Sequence, residues 1–343
     1  MIRPWVFEFF PELTAEESAR TGRSPIQYFE EYLSLWASDE SRGFEGIFYS
    51  EHHFGGSFSA SPNLLIAAVA GRTKRLRLGV MGVVLPYYTA ARVIEEIGML
   101  DHLTGGRLEI GTAFGVPQEL TLVGIDLAQA RSVYDESVAI LDQALESKDV
   151  TYDGKHFKYD KLRLLPRTVQ LPHPPKWSTV VSPDSAKRAA QRNSKICTGF
   201  SSTAQVKAVF DAYCEAVAAT GREANSQDLG LRRRVVVATS FAEASDLSNA
   251  VAERYKAYVA EDPRVKFSHV PDAPKKETGI AVSEDEFIFG TPGQVAEQIV
   301  EQCRHSGAGH FMSVLHWGAG LDEVRAAHDL FAADVIPVLR KAN

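Results

Sequence analysis

GIFYSEHHFGGSFSASPNLLIAAVAGRTKRLRLGVMGVVL, residues 46–85, decides the fold. Its first five residues, Gly46–Ser50, are a short apolar and aromatic run bounded by a glycine and a polar loop, the pattern of a buried strand. Ser61-Pro62 then opens a helix, with a capping serine and a proline at the first helical position, where its missing N–H is no loss. The apolar stretch that follows has helical length and stops at Gly71, a residue that ends helices without steric cost. Leu76–Leu85 is a second strand run. Strand, helix and strand in that order bring two strands side by side in parallel.

The same alternation extends in both directions. Strand runs are predicted at Ile2–Phe9, Gly46–Ser50, Leu76–Leu85, Arg107–Ala113, Lys176–Val181, Lys195–Phe200, Leu231–Thr239 and Phe311–His316, each followed by a helix candidate. Eight βα units predict an α/β fold, a closed (β/α)8 TIM barrel, as a single domain over residues 1–343. Ser24-Pro25, Ser182-Pro183-Asp184 and Thr291-Pro292-Gly293 repeat the helix start, and Gly43 repeats the stop. Two insertions interrupt the alternation. Residues 150–175 hold a hairpin turn, Tyr152-Asp153-Gly154-Lys155, and a proline-rich return, and read as a structural cover. Residues 261–289 are long, polar and poorly periodic, and read as a mobile lid.

Composition narrows the function. The 343 residues carry 37 Lys+Arg against 44 Asp+Glu, a net charge of −7, which gives no general attraction to nucleic acid or anionic lipid. Arg232-Arg233-Arg234 opens an apolar strand and reads as its solvated end. No apolar run approaches the ~18 residues of a spanning helix, and the N-terminal run is too short and too polar for an export signal. Cys197, Cys214 and Cys303 are odd in number and form no C-x-x-C, so a reducing cytoplasm is expected. The common dinucleotide, P-loop, zinc-protease and serine-hydrolase signatures are missing from the sequence.

In such a barrel the chemistry lies at the C-terminal ends of the strands. Strand two leads into Glu51-His52-His53-Phe54, a carboxylate and two imidazoles at the mouth. Adjacent residues face different ways and bring no third ligand at metal spacing, so no metal is expected. Strand three carries Gly82, where a flat ligand could lie against exposed backbone. Strand four leads through Ala113 and Phe114 to Arg131. Strand five leads to Ser182 and Ser185 at a helix start that needs only one of them as a cap. Arg131 with these two serines forms a candidate phosphate site. Phe7, Phe9, Phe114, Trp177 and Trp317 lie near strand ends and suggest an aromatic, apolar mouth.

Taken together, these residues resemble the bacterial luciferase-like flavin-dependent monooxygenases. The likeness is densest over Tyr49–Gly115, through Glu51-His52-His53-Phe54, Ala70–Leu76, Met81–Pro86 and Gly106–Gly111. It continues through Gly124-Ile125-Asp126, Arg131, Gln170–Pro175 and Phe289–Gly293. The resemblance implies an enzyme that receives reduced FMN (FMNH2) from a separate flavin reductase, captures O2 as a flavin hydroperoxide and inserts one oxygen atom into a small apolar organic substrate. It implies His52 as the catalytic histidine with Glu51 orienting it. Met81, Gly82, Ala113, Phe114, Arg131, Ser182 and Ser185 would surround the cofactor, and Phe7, His53, Trp177 and Trp317 the substrate. It also implies a non-prolyl cis peptide at Met81–Gly82, and a homodimer formed through helices 62–71 and 89–103; light emission is not expected. Phe114 stands where luciferase has a phosphate-holding arginine. A deazaflavin-dependent hydride-transfer enzyme and a non-catalytic flavin-binding protein are the alternatives.

Overall fold

The computed structural model describes residues 1–261 and 283–342. Its strands are β1 (Arg3–Glu8), β2 (Gly46–Tyr49), β3 (Arg77–Val80), β4 (Val83–Val84), β5 (Leu108–Ala113), β6 (Val150–Asp153), β7 (Lys158–Leu162), β8 (Lys176–Thr179), β9 (Lys195–Thr198), β10 (Leu229–Val237), β11 (Phe287–Gly290) and β12 (His310–Leu315). Parallel pairings run β12-β1-β2-β3-β5-β8-β9-β10, and β10 pairs β12 to close the ring. The eight predicted strand runs are the eight staves of this (β/α)8 barrel. Six of them lie within their predicted runs and are shorter, and two are shifted toward the N-terminus: Leu231–Thr239 is observed as Leu229–Val237 and Phe311–His316 as His310–Leu315.

Strand three is interrupted. β3 ends at Val80, the Met81–Gly82 peptide is cis as expected, and β4 resumes the line to pair with β5 through Val83 and Val84. At Gly82 a Cβ would fall 2.6 Å from the carbonyl carbon of Thr112, so this glycine permits strand-to-strand contact. The space expected there for a ligand is filled on that side by β5 backbone.

The N-terminal half of the barrel is plugged. Trp5 stacks on Phe48 with ring centroids 4.8 Å apart, and Trp177 meets Phe48 edge-on at 5.5 Å. The Trp177 indole donates to Glu109 Oε2 (2.6 Å), and that of Trp5 donates to His310 Nδ1 (2.8 Å). A Cβ at Gly230 would stand 2.9 Å from Met312 Cε and 3.2 Å from the Trp177 ring, so large rings alternate with glycine to fill the bore. Trp177 is 1% exposed and sits at the start of its strand. The expectation that it lines the mouth is therefore corrected: it is part of the floor, and only the opposite end can admit a ligand.

The two insertions behave differently from expectation in part. β6 and β7 form an antiparallel hairpin, and the proline-rich return contains cis peptides at Leu165–Pro166 and Leu171–Pro172. Asp101, on the helix Ala90–Thr104, binds this return: its carboxylate accepts from the Val169 and Gln170 N–H groups (2.7 and 2.9 Å) and from the Gln170 side chain (2.7 Å). Of the predicted lid, residues 262–282 lie outside the described residues. Its far end is ordered structure, a 3-10 turn Glu284–Glu286 and then β11, which pairs with the upper half of β10. The reading of Arg232-Arg233-Arg234 as a solvated end is also corrected, because the three side chains are 4%, 0% and 3% exposed. Glu286, fully buried at the foot of β11, gathers them.

Candidate active site

The loop after β2 is fastened before it carries any chemistry. Ser57 donates its hydroxyl to the Phe9 carbonyl (2.8 Å) and Phe58 N–H donates to the Phe10 carbonyl (2.8 Å), so the loop is sewn to the end of β1. This brings His52 over Phe9, with ring centroids 5.6 Å apart and planes within 17°. His52 Nδ1 lies 3.0 Å from Glu119 Oε1, a buried carboxylate in the first turn of the helix Pro117–Leu122. A carboxylate accepts, so Nδ1 carries the hydrogen and Nε2 remains the ring's base. Phe9 on one face and Glu119 at one edge fix the imidazole in a half-buried position.

Glu51 does something other than orient His52. Its Oε2 accepts from the Val84 N–H (3.0 Å), and its Oε1 accepts from the Tyr88 hydroxyl (2.8 Å) and lies 3.0 Å from His53 Nε2. The expected Glu51–His52 pairing is thus corrected to Glu51–His53 and Glu119–His52. Glu51 ties the histidine loop to β4, immediately past the Met81–Gly82 corner. Proximity to a carboxylate raises the Tyr88 phenol further above its ordinary value, on top of its burial. His53 packs on Tyr87 at 4.5 Å and belongs to this brace. Glu119 was not singled out in the sequence; the one available sign was a carboxylate two residues after a proline, at a helix start following strand four.

The expected phosphate residues are only partly brought together. The Arg131 guanidinium stacks on the Phe114 ring at 4.2 Å and lies 5.5 Å from the Tyr134 ring. Among the described residues Arg131 has no ion pair, and it is exposed. Ser182 and Ser185 are both used by the helix Pro183–Gln191: Ser182 Oγ accepts from Ser185 N–H (3.3 Å), and Ser185 Oγ accepts from Ser182 N–H (3.0 Å). The expectation that one serine is spare is corrected to a reciprocal capping box. Ala113 ends β5 beside Val84, and β5 is the neighbour of β8, so the Arg131 and serine groups rise from adjacent staves. Across the mouth, Phe7 meets Phe9 at 5.3 Å, and Trp317 stands 5.9 Å from Arg234.

An exposed guanidinium on an aromatic ring, a helix N-terminus after the adjacent strand and the break between β3 and β4 are features that suit a flat ring system with an anionic tail. Such residues fit a flavin. The model of the luciferase-like monooxygenases matches residues 7–310. The chain belongs to the luciferase-like monooxygenase family. The uncharacterized protein y4wF from Sinorhizobium fredii is 31% identical over 87% of each chain. The oxygenase component of a flavin-dependent trigonelline monooxygenase from Acinetobacter baylyi is 30% identical, over 50% of this chain and 48% of its own. Among solved structures, the monooxygenase RslO1 from Streptomyces bottropensis superposes with a TM-score of 0.84 at 25% identity, covering 98% of this chain and 99% of its own. This luciferase-like chain has no helix, among the described residues, long and apolar enough to cross a membrane.

Proposed function

We propose that this luciferase-like chain is the oxygenase of a two-component, FMN-dependent monooxygenase, acting in the cytoplasm on a small organic molecule held in the aromatic mouth. The observation that carries the reading is His52, braced by Glu119 and Phe9 at the rim, one loop away from the Met81–Gly82 corner. Reduced FMN supplies, when bound, the electrons that activate O2. Met81, Gly82 and Ala113 would back its ring, and Arg131 with the N-terminus capped by Ser182 and Ser185 would take its phosphate, Arg131 standing in for the arginine that Phe114 replaces. His52 Nε2 exchanges the proton that oxygen transfer requires, while Glu119 keeps Nδ1 protonated and stabilises the imidazolium in passing. Phe7, Phe9 and Trp317 exclude water from the reacting atoms.

A separate flavin reductase would deliver the cofactor, in keeping with the relative whose name marks it as the oxygenase component of a flavin-dependent monooxygenase. A homodimer through helices Pro62–Ala70 and Ala90–Thr104 is part of the proposal, because Leu64, Met99 and Leu103 stay exposed there.

The test is anaerobic titration with reduced FMN, followed by mixing with labelled O2 and a panel of candidate substrates. Binding of reduced FMN and one labelled oxygen atom in product are expected. Turnover without oxygen, with a deazaflavin coenzyme in place of FMN, would replace this reading, and tight flavin binding with no product from any substrate would reduce it to flavin binding.

A further inference from the structure

We infer that Arg232 receives an anionic group, a carboxylate, at the far end of the substrate. The inference rests on the monooxygenase reading only in calling that molecule the substrate. Along β10 the side chains alternate, so Arg232 and Arg234 share one face and Arg233 the other. Arg233 lies on the opposite face, where its Nε donates to Gln302 Oε1 (2.7 Å) and its Nη1 lies 3.4 Å from Glu286 Oε2, while its Nη2 has no hydrogen-bond partner among the described residues. Arg232 faces inward: its guanidinium lies 3.9 Å from the Phe200 ring and 5.7 Å from that of Phe7.

Glu286 is fully spoken for. Its Oε2 accepts from the Phe200 N–H (2.7 Å) and lies 3.4 Å from Arg233 Nη1, while its Oε1 accepts from Arg234 Nη1 (3.0 Å). Arg232 Nη2 is 2.8 Å from that same Oε1, near enough for Coulomb attraction but without hydrogen-bond alignment. Its Nη1 is buried and donates to nothing among the described residues. A guanidinium sealed in the wall of a barrel with an idle donor is unfavourable, and an aliphatic side chain would fill the same wall at lower cost. The idle edge of a planar fork is the shape that a carboxylate completes.

Position supports the assignment. Phe7 abuts Phe9, and Phe9 carries His52, so two phenylalanine rings separate the guanidinium from the imidazole. A molecule whose apolar body lies along these rings would set its anionic end at Arg232 and its other end beside His52. The residues proposed for the cofactor phosphate follow β5 and β8, whereas Arg232 lies on β10, so the two anions have separate receptors.

The probe pair is 4-fluorobenzoate and 4-fluorobenzamide, equal in shape and different in charge, titrated by fluorine NMR into the full chain with and without oxidised FMN. Benzoate is expected to bind at least ~10-fold more tightly than benzamide, as one charge-assisted pair allows. Arg232→Gln should abolish that preference and leave FMN affinity unchanged, and Arg232→Lys should keep part of it. If Arg232→Gln does not fold, the wild-type ratio and Arg232→Lys decide. Equal binding of the two probes, or a preference untouched in the variants, overturns the inference. So does displacement of benzoate by FMN, or by inorganic phosphate at matching concentration, either of which assigns the guanidinium to a phosphate. FMN binding without charge preference sinks the inference and leaves the monooxygenase reading standing; an Arg232-dependent preference in a chain that binds no flavin does the reverse.

Discussion

At the scale of single residues, two histidines next to each other in the chain have separate carboxylates and separate work. His52→Ala is expected to lower the rate of product formation by about 10²–10⁴-fold with FMN still bound, the range for a lost proton-transfer group. Glu119→Ala, which leaves His52 in place but frees its Nδ1, should lower kcat by about 10-fold or more with little change in FMN affinity. Glu51→Gln should act on the loop instead, raising the concentration of FMN needed for half-saturation, because it loosens the tie between His53, Tyr88 and Val84. Rapid-mixing kinetics with separately measured flavin binding distinguish the three. The histidine cluster was legible in the sequence, since its place after a strand run marks it as a barrel-mouth residue. Its pairing was not, because Glu119 is 67 residues from His52 and only the closure of the barrel brings them together.

At the scale of elements, the Ser-Pro and Thr-Pro pairs marked the helix starts at Pro25, Pro62, Pro183 and Pro292, and Gly43 the left-handed stop of the helix Pro25–Arg42, since these signals act within a few residues; Ser61, however, makes no side-chain cap bond and Gly71 is right-handed. What escaped were the non-local decisions: the break between β3 and β4, the pairing of β11, and the burial of three arginines whose counter-charge lies 52 to 54 positions away. The proline-rich return depends on a contact of the same kind. Asp101 is buried and supplies that segment with three acceptor bonds, so Asp101→Ala leaves two backbone N–H groups without partners. Limited proteolysis should then cut faster near residues 165–172 while the barrel stays intact by circular dichroism. A decrease in global stability of about 1–3 kcal/mol is expected as well.

At the scale of the whole molecule, two buried histidines at opposite ends of β12, His310 in the plugged floor and His316 just past the strand's C-terminal end, limit the fold's stability toward acid. Burial pushes His310 down to about 3 and His316 down to about 4. Each is neutral in the folded chain and has polar partners there, His316 Nε2 lying 3.1 Å from both the nitrogen and the carbonyl oxygen of Val237. As pH falls below the ordinary histidine value near 6.5, the unfolded chain takes up protons that the folded one refuses. Their stability is therefore present at neutral pH and drains away downward, toward pH 4 for His316 and pH 3 for His310, at up to about 1.4 kcal/mol per unit for each ring. Glu8 and Glu109, whose carboxyls burial pushes up, act in the opposite sense. The clean measurement is a difference: between pH 6.5 and 5, urea unfolding of His316→Gln should lose about 2 kcal/mol less than wild type. The barrel itself was legible from eight alternations, because that count leaves few other ways to pair parallel strands. Along one flank, however, β10 is served by two strands in tandem, β9 beside Leu229–Leu231 and β11 beside Arg234–Val237. Arg232 and Arg233 occupy the joint between them. A hoop spliced at one place opens there first, so a guest gripping Arg232 would act as a rivet, and amide exchange along β10 should slow when it arrives.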